Sequence, residues 1–221
     1  ALASAGKPNE GMQLHDTALK LRKQLLGEAS IEVATSYHNL GDAFERKTNH
    51  QESLVNHKKA FDIVERELPK DHLYLATSAH KLANAYERNQ DFDAAIKLHK
   101  QALAIREKTK VRHPRTAESI DSLGMASYHA GAFLRANRLL QKALNMRFEI
   151  LGRDHPSKAK SLYHVGLSHV GLRQSQSAIN SFEKALQVLQ VQSQDSYPEL
   201  IDIHTALARA YAEESSVLSS L

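Results

Sequence analysis

Cysteine and tryptophan are missing altogether from the 221 residues, proline occurs 5 times, glycine 9 times, and aromatic residues make up 6%. Without cysteine there is no disulfide framework and no thiolate chemistry, which fits an intracellular, cytoplasmic setting. So few helix breakers leave long stretches of Ala, Leu, Lys, Glu, Gln and Arg uninterrupted, a helical composition. No apolar run is long enough to span a bilayer, and the first residues, ALASAGKPNE, lack the charged start and apolar stretch of a signal peptide. Charge of one sign is scarce too: 29 basic and 25 acidic residues are spread over the chain for a net +4, so no block suggests nucleic acid or a membrane surface as a partner. There is no phosphate-cradling glycine loop, no G-x-S-x-G elbow and no H-E-x-x-H pair, the commonest signs of an enzyme that binds a small-molecule substrate or cofactor. The 42% of hydrophobic residues and the mean hydropathy of −0.46 suffice for a packed core in water. The chain starts without Met and stops soon after a helix, as expected of a piece of something larger.

What is present is a repeat. A small residue after Leu or Val recurs at Gly41, Ala83, Gly124, Gly166 and Ala208, in steps of 42, 41, 42 and 42. Seven residues upstream of each lies a second column, Ala34, Ala76, Ala117, Ala159 and Ile201. A third, Ala18, Ala60, Ala102, Ala143 and Ala185, keeps the same period with one single-residue slip. Such self-similarity means a supersecondary unit that buries its apolar face only by stacking on its neighbours.

Each unit reads as two helices. Ala117, Ile120, Leu123 and Ala126 give the first an apolar face at helical spacing. A break around Gly131 follows, then a second helix from near Phe133 through Ala136, Leu140, Ala143 and Met146 toward Leu151. Gly152 ends it, and Asp154-His155-Pro156 opens the next unit, with Pro at an early helical position that has no N–H bond to lose. Gly41, Ala83, Gly124 and Gly166 are expected to face Ser53, Ala95, Ala136 and Ala178, twelve residues later, where the two helices of a unit cross closely. The alanines at 60, 102, 143 and 185 are expected to do the same against the following repeat.

The three small-residue columns, together with an aromatic near the end of the first helix (Phe44, Tyr86, Tyr211), resemble the tetratricopeptide repeat, commonly ~34 residues long. The longer unit, as in ALAIREKTKVRHPRTAESIDSLG, is similar to that of kinesin light chains. The resemblance implies an all-α, right-handed superhelix of ~42-residue helix-turn-helix repeats. It would run as one solenoid over residues 1–221: a lone second helix over 12–26, hairpins from about 33, 75, 116 and 158, and a lone first helix over 199–213. It also implies a concave groove, lined by the first helices, that binds a peptide segment of a protein partner. The candidate groove residues are His38, Asn39, Asp42, His80, Asn84, Arg88, Asp121, Met125, Tyr128, Lys160, Tyr163, Leu167 and Arg209. Of the paired asparagines typical of kinesin light chains only Asn39 is kept; the pairs here are His38-Asn39, His80-Lys81, Asp121-Ser122, Tyr163-His164 and Thr205-Ala206.

The 13 histidines include His15, His57 and His99 at a spacing of 42, which suggests a metal. In a solenoid that spacing puts one on each second helix, and Leu140 and Phe182 fill the same position later, so the column reads as packing. The expected function is therefore a non-enzymatic adaptor that binds a peptide without cofactor or metal. The alternative is an intramolecular or self-associating scaffold or sensor arm, held through uncapped ends.

Overall fold

The computed structural model describes residues 8–108, 113–151, 155, 157–190 and 199–219. Every regular element among them is a helix: α1 (Pro8–Leu26), α2 (Ile31–Arg46), α3 (His50–Glu67), α4 (Leu73–Arg88), α5 (Phe92–Glu107), α6 (Pro114–His129), α7 (Phe133–Ile150), α8 (Ser157–Gly171), α9 (Ser175–Gln190) and α10 (Glu199–Ser219). The chain divides into two compact units, Ala1–Lys110 and Val111–Leu221. In the first, α2–α3 and α4–α5 are hairpins with α1 against α2; in the second, α6–α7 and α8–α9 are hairpins with α10 against α9.

The turns repeat as faithfully as the helices. In each hairpin one residue takes a left-handed backbone, at Thr48 (φ 57°), Gln90 (φ 63°), Gly131 (φ 77°) and Arg173 (φ 57°). Only at 131 is that conformation free of Cβ strain; the other three show that hairpin closure outweighs it. Helix starts are capped by side chains. Ser30, Asn49 and Asp91 accept the N–H of Val33, Glu52 and Ala94 at 3.2, 3.2 and 3.1 Å. His72, His113 and His155 each accept the amide two residues on through Nδ1, at 3.1, 3.1 and 3.2 Å, which gives the histidines of the inter-repeat turns a backbone task. Gly152, Asp154 and Pro156 lie outside the described residues.

Inside each unit the alanine columns are buried: Ala34, Ala60, Ala76 and Ala102 in the first, Ala117, Ala143, Ala159 and Ala185 in the second. At the three first-helix glycines the nearest side chain lies one turn beyond the position expected, sixteen residues on. A Cβ on Gly41 would lie 2.7 Å from the imidazole of His57, one on Gly124 2.7 Å from Leu140, and one on Gly166 2.3 Å from the ring of Phe182. The partner is the large side chain sixteen residues on, which fills the hollow that the missing side chain leaves. Burying a leucine or phenylalanine side chain in full contributes about 1.5–3 kcal/mol.

Candidate functional site

The first helices carry the candidate groove residues, and the two units use them differently. In the first unit, His38 is only 3% exposed and belongs to a buried chain of side chains. Its Nε2 is 2.8 Å from the Ser78 hydroxyl and its Nδ1 2.9 Å from Nδ1 of His57, whose Nε2 is 3.5 Å from Asp42. One assignment of protons gives every ring nitrogen a role: Ser78 donates to His38, His38 to His57, and His57 toward Asp42. Two charged imidazoles cannot share that Nδ1–Nδ1 contact. Burial, reinforced by His57 and Lys81, pushes His38 down to about 3. Burial takes His57 to about 4 against the pull of Asp42.

The next repeat has the same pair. The rings of His80 and His99 lie 5.2 Å apart, and His99 Nε2 is 2.8 Å from Glu87. Burial, with His99, Arg106 and Lys81 nearby, lowers His80 to about 3. His38 and His80 are therefore withdrawn from the ligand-facing set: their rings are used inside the hairpins. The charged groove positions are also satisfied internally. The Lys81 ammonium donates to both Asp42 oxygens at 2.7 and 2.8 Å, and Arg88 lies 3.3 Å from Glu45, so α2 and α4 are tied across repeats. Asp42, Glu45 and His57 bring ligand atoms within 4.8 Å of one another, and Lys81 and Arg88 supply the positive charge there. Asn39 and Asn84 are half-buried on the same helices.

In the second unit Asp121 is 5% exposed and is likewise withdrawn. Its carboxylate receives Arg147 at 3.1 Å and His164 Nδ1 at 2.9 Å, and Arg147 also contacts Ser161. Burial alone would raise the Asp121 pKa, but His164 and Arg147 together hold it below the usual carboxylate value. Sequence reasoning passed over Lys81 and His164, although both stand in the second column of the asparagine pairs. Each reaches back one repeat to an acid on the preceding first helix, and the signal was that shared column.

The remaining positions form a different surface. Met125 and Tyr128 on α6, and Tyr163, Leu167 and Val170 on α8, pack on the core of the second unit and are half-buried; Leu207 on α10 does the same. Tyr128 rests on Phe133 with ring centroids 5.5 Å apart, and Tyr163 on Phe182 at 5.8 Å, so both rings are held from behind. Burial, then Asp202 and Tyr128, raise the Tyr163 phenol, which stays protonated as a hydrogen-bond donor at neutral pH. Lys160 and Arg209 are exposed at the margin. The arrangement offers two braced aromatic faces, a flexible thioether and a few charges, and no converging nucleophile and base.

A family model described as tetratricopeptide repeat matches residues 1–66, 44–108, 74–147 and 115–191. No curated protein matches the sequence. Among solved structures, the nearly identical TPR-like repeats of a putative kinesin light chain from Podosopora anserina are 24% identical with a TM-score of 0.75, covering 88% of this chain and 92% of that one. BtubC (BKLC) from P. vanneervenii is 17% identical with a TM-score of 0.76, covering 89% and 79%. The apo form of RapI is 14% identical with a TM-score of 0.75, covering 94% and 80%. At these identities the likeness is one of fold.

Proposed function

Because the chain belongs to the tetratricopeptide repeat family, whose members are generally protein-interaction modules, we propose that it is a cytoplasmic adaptor that binds a peptide segment of a partner protein along the first helices of its second unit. One observation supports this above the others: Met125, Tyr128, Tyr163 and Leu167 keep part of their apolar surface exposed on two adjacent helices while their rings and chains are braced by the core. Apolar side chains partly exposed and braced from behind are what a partner's anchor needs, since little side-chain entropy is lost on docking. The partner segment brings an apolar or aromatic side chain to the two tyrosines, and Lys160, Asp202 and Arg209 set its few flanking charges. The corresponding positions of the first unit contribute little, because Asp42, Glu45 and Arg88 are already paired and His38 and His80 are buried. No catalytic step and no cofactor belong to this reading.

Panning a random peptide display library against the chain tests it. Enriched sequences should share an apolar or aromatic anchor and compete with one another. Enrichment of purely charged sequences with no such anchor would remove the basis of the proposal. The alternative, a self-associating scaffold arm, is favoured by a separate observation, the leucines that α1 leaves exposed.

A further inference from the structure

The second helices α3, α5 and α9 open on a polar first turn. Asn49 and Asp91 cap α3 and α5; Gln51, Asp93 and Gln176 stand at the second helical position, and Glu52, Ala94 and Ser177 at the third. Acid in a first turn suits the helix dipole. α7 departs from the pattern at every one of these positions. Ala132 gives no side-chain cap, although its backbone (φ −84°, ψ 59°) is close to that of Asn49 (φ −88°, ψ 77°). Leu134 is 57% exposed where the other repeats have Gln or Asp, and Arg135 puts a cation where the dipole favours an anion. Each change works against the free helix, and a local rule broken without a gain inside the fold points to a partner.

What the changes build is a groove. Phe133 lies so close over Gly171 that a Cβ there would run into its ring, which joins the start of α7 to the end of α8. Phe133, Leu134, Leu139 and Leu172 line an open groove of about 690 Å³ at this junction; Arg135 and Arg138 line it too, and no acid does. Both arginines are exposed, and neither forms an ion pair among the described residues. We propose that this groove is a second docking surface, for an acidic-apolar segment of a partner protein: an apolar side chain enters beside Leu134 and Leu172, and carboxylates flanking it meet Arg135 and Arg138. Charge selects this occupant. An apolar lining alone would accept any hydrophobic segment, but two unpaired cations with no acid beside them repel basic segments and favour acidic ones. A carboxylate there also offsets the placement of Arg135 at the start of α7. The surface goes beyond the tyrosine groove, which lies on the first helices; the two meet at Phe133, on which Tyr128 rests.

Panning two display libraries against the unaltered chain tests it. Each has one apolar position among random residues, drawn from Asp, Glu and Ser in the first library and from Lys, Arg and Ser in the second. Every enriched clone is then measured on a variant that writes the turn of the first hairpin into the third, Ala132→Asn/Leu134→Gln/Arg135→Glu. Acidic clones should bind this variant about tenfold more weakly or worse, and should lose the unaltered chain to the same extent when their apolar residue is made Ser. They should keep their affinity for a Tyr163→Ala chain, which separates this surface from the tyrosine groove. The triple variant gains a cap and a first-turn acid, so it should melt no lower than the unaltered chain. The absence of acidic clones sensitive to the triple change, basic clones that share the sensitivity, or a lower melting midpoint for the variant would overturn the proposal. So would phosphatidylserine vesicles that bind the unaltered chain in place of acidic clones and release the variant, since the occupant would then be a membrane surface.

Discussion

The two units share one backbone plan and fill it with opposite chemistry. Where the first unit seats His57 and His99 in the hollow beside the small residue, the second seats Leu140 and Phe182. Both units tie adjacent first helices, the first with Lys81 on Asp42 and Arg88 on Glu45 and the second with His164 on Asp121, but the second keeps Met125, Tyr128, Tyr163 and Leu167 partly exposed beside its tie. The interlock needs volume, which imidazole, leucine and phenyl all supply. A buried imidazole additionally needs partners for its nitrogens, so Ser78, Asp42 and Glu87 are drawn in, and the neighbouring surface loses groups that could have met a ligand. The apolar interlock makes no such demand and leaves its surface free.

Acid should break the equivalence of the units most strongly. His38, His57 and His80 take up a proton near 6.5 when unfolded but only near 3, 4 and 3 when folded. The unfolded chain therefore binds more protons below pH 6.5, and stability falls as pH drops to about 4 for His57 and about 3 for His38 and His80. By pH 5 the loss is about 2 kcal/mol per histidine. Hydrogen exchange at pH 7 and pH 5 should show α2 to α5 losing protection, while α6 to α9 change much less. Copying the second unit into the first with His38→Tyr/His57→Phe should remove about two thirds of that loss. Equal loss of protection in the two units would contradict the assignment.

Next in size is Asp121→Ala, which leaves Arg147 buried without its carboxylate and should cost about 3–5 kcal/mol in a denaturant titration. Ala102→Leu overpacks a fully buried alanine and should cost about 1–3 kcal/mol, with a lower melting midpoint. Lys97→Ala, on the exposed side of the same helix, should change stability by no more than about 0.5 kcal/mol, and equal midpoints for these last two would place Ala102 outside the inter-repeat contact.

The helical architecture was legible because it is written in small residues. A solenoid needs close helix approach at fixed intervals, and Ala60, Ala102, Ala143 and Ala185 record those intervals directly. The histidine column was legible as packing for the same reason, since Leu140 and Phe182 replace His57 and His99. The side chain that closes on each first-helix glycine, sixteen positions on, was not anticipated. Spacing alone says which face of a second helix is used and not which turn of it enters the hollow. The site was less legible. A groove position says where a side chain starts, but whether it ends in solvent depends on neighbours one repeat away. His38 turns inward because Ser78 and His57 receive it, and Asp121 because Arg147 and His164 do. Those pairings span from nineteen to forty-three residues, beyond the reach of any local pattern.

The contrast between a self-satisfied first unit and an open second unit is tested most directly by calorimetric titration of one library-selected peptide into paired alanine variants. Tyr128→Ala/Tyr163→Ala should weaken binding by about 2 kcal/mol or more, while Asn39→Ala/Asn84→Ala on the first unit should leave the affinity within a factor of about two. Affinity that survives loss of both tyrosines, yet collapses when the asparagines of the first unit are removed, would contradict the account.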